Sequence, residues 1–147
     1  MAYVTNSAIE QWIGTATLVE LTDDAGTGQV DTARVDEARL GAEGEADSYL
    51  ATRYRVPVDV AAEDEVGAVL RTFVLDVAAY RLHSRRPPVP ADIVRRHDEA
   101  VAWLSRVAAG LVQLPSAMLL PENDALGLIG DAAGPPRTMT RDSLEDV

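Results

Sequence analysis

Among its 147 residues the chain has no cysteine and no lysine. Without cysteine there can be no disulfide framework, thiolate zinc site or thiol nucleophile, which fits synthesis in a reducing cytoplasm. Without lysine, all 13 basic residues are arginine. Arginine forms geometrically fixed bidentate pairs with carboxylates and suits fixed interfaces; a GC-rich coding genome would give the same usage. Aromatics are scarce, at 5%. No stretch approaches the ~20 consecutive apolar residues of a membrane span. Residues 1–13 lack a basic, then apolar, export signal. The glycine patterns of P-loops and dinucleotide folds and the G-x-S-x-G elbow are missing too. Ser7, Ser48, Ser84, Ser105, Ser116 and Ser143 stand in no nucleophile context. The expectation is a chain with no membrane span, no catalytic residues and no cofactor, and therefore not an enzyme.

What is present is acid, with a net charge of −11. That disfavours gripping phosphate backbones, which takes clustered basic residues, and suits a surface past which DNA slides. The charge is uneven. Residues 1–30 hold four acids (Glu10, Glu20, Asp23, Asp24) and no base, whereas residues 61–109 hold seven of each sign. The middle is the expected packed body.

Apolar residues recur at helical spacing. Ile9, Trp12 and Ile13 share a face of a short helix capped by Thr5 or Asn6 and ended by Gly14. Residues 15–21 read as a further short turn of helix, and 22–31 as a turn-rich loop whose Asp31 or Thr32 caps the next helix. From 31 to about 54 the stripe Val35, Ala38, Ala42, Ala46, Tyr49, Leu50 and Arg53 is rich in alanine. Gly41 and Gly44 interrupt it, where a kink or tight crossing is expected. Residues 63–86 carry acids at the start, Arg85 and Arg86 at the end, and apolar side chains nearly all round, marking the central helix. Pro90 opens an amphipathic helix whose apolar face includes Ile93, His97, Ala100, Val101, Leu104 and Val107. The expected fold is mainly α: a small antiparallel bundle of about four helices over 1–111. An extended C-terminal arm follows over 112–147, with short strands near 118–120 and 137–140.

Three places invite chemistry. The segment 23–34 resembles a calcium loop with Asp23 first and Gly28 at its glycine, but Ala25 and Arg34 stand where ligands belong, so a helix-capping turn is the better reading. His83 and His97, the only histidines, have no metal-ligand pattern around them, and no metal residue is assigned. Asp76, inside the apolar helix, requires a partner: Arg71, Arg81, Arg53 or Tyr80. Trp103 with Arg106 either closes the core edge or anchors a neighbour.

The order of segments is informative as a whole: a short helix ending near Trp12, then LVELTDDAGTGQVD at 18–31, ADSYLATRY at 46–54, DVAAYRL at 76–82, RRPP at 85–88, RHDEAVAWL at 96–104 and RTMTRDSL at 137–144. Over nearly its full length the chain resembles the Mu-type phage head-to-tail connector family. The resemblance implies an adaptor or head-completion subunit, a small helical protein in a homo-oligomeric, typically twelvefold, ring beneath the portal. A tail or tail-terminator protein would lie below it, and DNA would pass through the lumen without sequence-specific binding. It implies a virion location after synthesis in the host cytoplasm, and no catalytic residues. Interface residues are expected at Trp103 and Arg106 and, in the arm, at Met118, Leu119, Leu120, Arg137 and Arg141. Two other classes stay open: a small acidic helical regulatory or interaction protein acting as a dimer, and an enzyme subunit needing a metal at His83 or His97.

Overall fold

The computed structural model describes residues 3–59 and 65–114. They form five helices, α1 (Asn6–Ile13), α2 (Thr15–Thr22), α3 (Thr32–Leu50), α4 (Glu65–His83) and α5 (Ala91–Ala108), and no strand occurs among the described residues. The mainly helical class is as expected. The count is five rather than four because Thr15–Thr22 is a complete helix, not a turn. Gly14 is the reason: at φ +94° its N–H closes α1 on the Glu10 carbonyl at 2.8 Å, while its own carbonyl accepts the Leu18 N–H at 2.9 Å and starts α2. The strands expected near 118–120 and 137–140, and the arm beyond Leu114, lie outside the described residues.

Side-chain oxygens set the helix starts. Thr5 caps α1 by accepting the Ala8 N–H at 3.1 Å, and Asp31 caps α3 by accepting the Ala33 N–H at 3.0 Å. Pro90 sits at the N-cap of α5. On α3 the alanine-rich stripe does what its spacing dictates: Val35, Ala38, Ala42, Ala46 and Leu50 are all buried. Small side chains there bring the backbone of α3 close to its neighbours, α4 and α5.

Helix α4 touches each of the other four helices. Leu70, Val74, Val77, Ala78, Ala79 and Leu82 are buried along it, so the central position read from its apolar circumference is observed. Gly41 and Gly44 do not break α3, which runs unbroken through both. Gly41 makes room for a side chain: a Cβ there would lie 2.9 Å from Nη1 of Arg81. Gly44 is exposed and faces open space.

Two buried tyrosines hold the chain between α3 and α4. The Tyr3 hydroxyl donates to Oδ1 of Asp47 and accepts the Val58 N–H at 2.8 Å. The Tyr54 hydroxyl accepts the Leu114 N–H at 3.0 Å, docking the segment after α5 beside the end of α3. Burial, followed by the Asp47 hydrogen bond, pushes the Tyr3 hydroxyl well above the usual tyrosine range, so it stays protonated and able to donate.

Two substitutions on α3 separate packing from propensity. Gly44→Ala should stabilise the fold by about 1 kcal/mol, because it removes a mid-helix glycine where a methyl meets nothing. Ala42→Leu, at a position with no exposure, should cost about 1–3 kcal/mol through overpacking. Thermal unfolding followed by circular dichroism reads both; opposite shifts in melting temperature are expected.

Candidate functional site

A cleft of about 480 Å³ lies among α3, α4 and α5. Five of its nine wall residues are arginine or glutamate. Arg34 and Glu37 come from the first turns of α3 and Glu45 from its later half, Tyr80 and Arg81 from α4, Arg85 from just beyond it, and His97 from α5. The cations are answered locally. Arg81 donates to Glu45 at 2.7 Å and Arg34 to Glu37 at 3.2 Å. His97 stacks on the Tyr80 ring at 4.0 Å between centroids, with Nε2 3.8 Å from Glu45 and Nδ1 3.4 Å from Asp98. The polar network welds three helices together. His83 is placed elsewhere, with Nδ1 2.8 Å from the Ala79 carbonyl of its own helix. Among the described residues no three His, Asp or Glu side chains converge as a metal cage.

The aspartate-rich loop between α2 and α3 turns its carboxylates onto the protein's own N–H groups and arginines at the surface. Asp23 accepts the Thr27 N–H at 2.9 Å, the Gly28 N–H at 2.7 Å and the Thr27 hydroxyl at 3.2 Å. These bonds, the Thr27 N–H foremost, hold its carboxyl below the usual range. Asp24 meets Arg85, Arg86 and Arg34, and the Arg85 hydrogen bond leads in holding its carboxyl low as well. At its far end the buried Thr22 hydroxyl accepts the Asp31 N–H at 3.1 Å. The loop is thus a capping turn, as read from its failed calcium pattern, and also a clamp on the chain just past α4. That second role was not legible, because Arg85 and Arg86 are some sixty residues away in sequence.

Asp76 is buried and partnered, but not by any of Arg71, Arg81, Arg53 or Tyr80. Its Oδ1 accepts the Trp12 indole N–H at 3.1 Å and lies 3.9 Å from Arg96. The correction has a geometric cause: Asp76 faces the junction of α1, α4 and α5, so its partners come from the helices beside it. Trp12 in turn leaves the buried stripe expected with Ile9 and Ile13; it is 41% exposed and closes the junction with its polar edge. A lone carboxylate in an apolar helix and a tryptophan at a helix end were each visible in the sequence; their pairing was not.

Trp103 is half-buried against Phe73, ring centroids 5.0 Å apart at 38°, on the margin of the core. Arg106 is exposed, with Nε 3.4 Å from the Ala102 carbonyl. The other interface candidates, Met118, Leu119, Leu120, Arg137 and Arg141, lie outside the described residues.

Burial, the largest effect, raises the Asp76 carboxyl above its ordinary value despite the Trp12 hydrogen bond and Arg96. A raised folded value means that the folded state holds this proton more tightly than the unfolded chain, so stability falls as pH rises through that window. Asp76→Asn keeps an acceptor for Trp12 and removes the desolvated charge. It should be at least as stable as the parent at pH 7, with the difference shrinking on acidification; denaturant melts across pH 3 to 8 measure it, and a large loss at pH 7 would contradict the account.

No curated protein matches this chain. The family described as Bacteriophage Mu, Gp36 matches residues 3–126, well over half the chain and all the described residues. This is the Mu-type phage kinship that the order of segments implies, and the chain belongs to the bacteriophage Mu Gp36 family.

Proposed function

We propose that the protein is a structural subunit of the phage virion, a head-to-tail connector that acts by packing and not by catalysis. Copies form a closed ring between the portal and a tail or tail-terminator protein, and DNA passes through the lumen without sequence-specific contacts. Membership of the Mu Gp36 family across residues 3–126 carries the reading.

The physical chemistry of the body supports it. The conspicuous polar groups are spent on holding helices together: Asp76 on Trp12, Asp24 on three arginines, Glu45 on Arg81. A body fixed in this way is a rigid building block. A ring closed by a heterologous interface needs two unlike surfaces on each copy, and the charged cleft among α3, α4 and α5 offers one of them. The net charge of −11 repels phosphate and favours sliding over binding. No described helix is long and apolar enough to cross a membrane, so nothing in the described body competes with a place in a protein assembly.

Electron microscopy of the purified protein and immunogold labelling of phage particles test the proposal. Rings in the purified sample and label at the head–tail junction are expected, and particles made without the protein should carry filled or empty heads without tails. A stable monomer absent from purified particles would overturn it.

A further inference from the structure

Most arginines of the described residues lie within 4 Å of a carboxylate, and three that do not gather at one end. Arg34, Arg39, Arg81, Arg85, Arg86, Arg95 and Arg96 all lie within 4 Å of an acid. Among the described residues Arg53, Arg55 and Arg106 have no carboxylate partner. They occupy one region. The Arg53 guanidinium lies over Gly110, so closely that a Cβ there would come within 2.0 Å of Nη1. Gly110 follows Arg106 by one turn, and the Arg106 carbonyl accepts the Leu111 N–H at 2.9 Å. Arg55 follows Tyr54, whose hydroxyl holds Leu114. The same region carries two apolar side chains turned to solvent, Leu111 at 77% exposure and Val56 at 38%.

Three arginines without a carboxylate partner among the described residues, of which Arg106 meets only the Ala102 carbonyl of its own helix, lie beside exposed leucine and valine and form a surface of hot-spot character. In a chain of net charge −11 it is a local excess of positive charge. Its complement is a short segment with about three acids and an apolar side chain or two. Residues 142–147 have that composition: Asp142, Glu145 and Asp146 with Leu144 and Val147, and no base. A DNA backbone offers the charge but nothing for Leu111 and Val56. The path begins in a suitable place too, since Leu114 is docked beside the patch and 27 residues separate it from Asp142, a reach on the order of 90 Å when extended.

We propose that the Arg53, Arg55, Arg106, Leu111 and Val56 surface of one copy receives residues 142–147 of a second copy. This inference rests on the ring reading above and names the contact that joins neighbours. One copy contributes the acidic segment and the next the arginine patch, which is the head-to-tail arrangement a closed ring requires.

The test uses the full chain and a fluorescein-labelled peptide of residues 142–147. Fluorescence anisotropy at low ionic strength should show binding, weakened by added salt and lost when Asp142, Glu145 and Asp146 of the peptide are replaced by Lys. The exposed pair Arg55→Glu with Arg106→Glu should weaken binding at least tenfold without altering the circular dichroism melt. In size-exclusion chromatography with light scattering, that variant mixed with a full chain carrying Asp142→Arg, Glu145→Arg and Asp146→Arg should form a mixed complex, because each supplies the half the other lacks. No peptide binding, unchanged binding by the double variant, or duplex DNA outcompeting the peptide would overturn the inference. So would variants that stay separate, the result expected if the segment folds onto its own chain. Rings seen by microscopy alongside any of these failures would leave the connector reading standing.

Discussion

Helix α4 carries apolar side chains around nearly its whole circumference, and they leave water only if other helices cover every side. That requirement organises the described body. α3 and α5 take the two long flanks, while α1 and α2 cover part of what remains, and Val69 in the first half of α4 stays exposed. Covering one helix with four others in so short a chain requires close approach, and the alanines of α3 allow it. Ala42 and Ala46 are fully buried where a larger residue would push the flanking helix outward.

Apolar coverage fixes which helices meet, and polar contacts fix their register. Burial is roughly proportional to area and non-directional, so it tolerates sliding; hydrogen bonds and ion pairs do not. The bundle has a polar lock at each junction. Tyr3 with Asp47 and Val58 ties the beginning of the chain to α3 and to the segment after it. Trp12 with Asp76 ties α1 to α4, and the 23–31 loop ties α2 to the chain beyond α4. Individually the exposed ion pairs contribute little, ~0–1 kcal/mol each. Their value to an assembly subunit is directional: they keep its surface geometry constant from copy to copy.

The region where the ends of α3 and α5 meet departs from this economy. Seven arginines elsewhere are turned on the protein's own acids, whereas Arg55 and Arg106 are exposed there beside Leu111 and Val56, with Arg53 half-buried over Gly110. A surface with unpaired charge and uncovered apolar area is poorly suited to facing water and well suited to a partner.

The sequence by itself determined the long helices, the buried stripe of α3, the centrality of α4 and a cap for α3 at Asp31 or Thr32, because these follow from local periodicity and from hydrogen bonds a few residues long. It also carried the phage kinship, through the order of its segments. Only the tertiary structure decided which polar groups meet. Asp76 demanded a partner on sequence grounds, but its partners are Trp12, 64 residues away, and Arg96 from α5, not the arginines or tyrosine considered for it. Gly41 looked like a site of backbone approach and is instead a seat for Arg81. The limit is physical: a helix's pattern states how much of it must be buried, whereas the angle and offset at which two helices cross decide which side chains lie within 3 Å. Those quantities belong to the whole bundle.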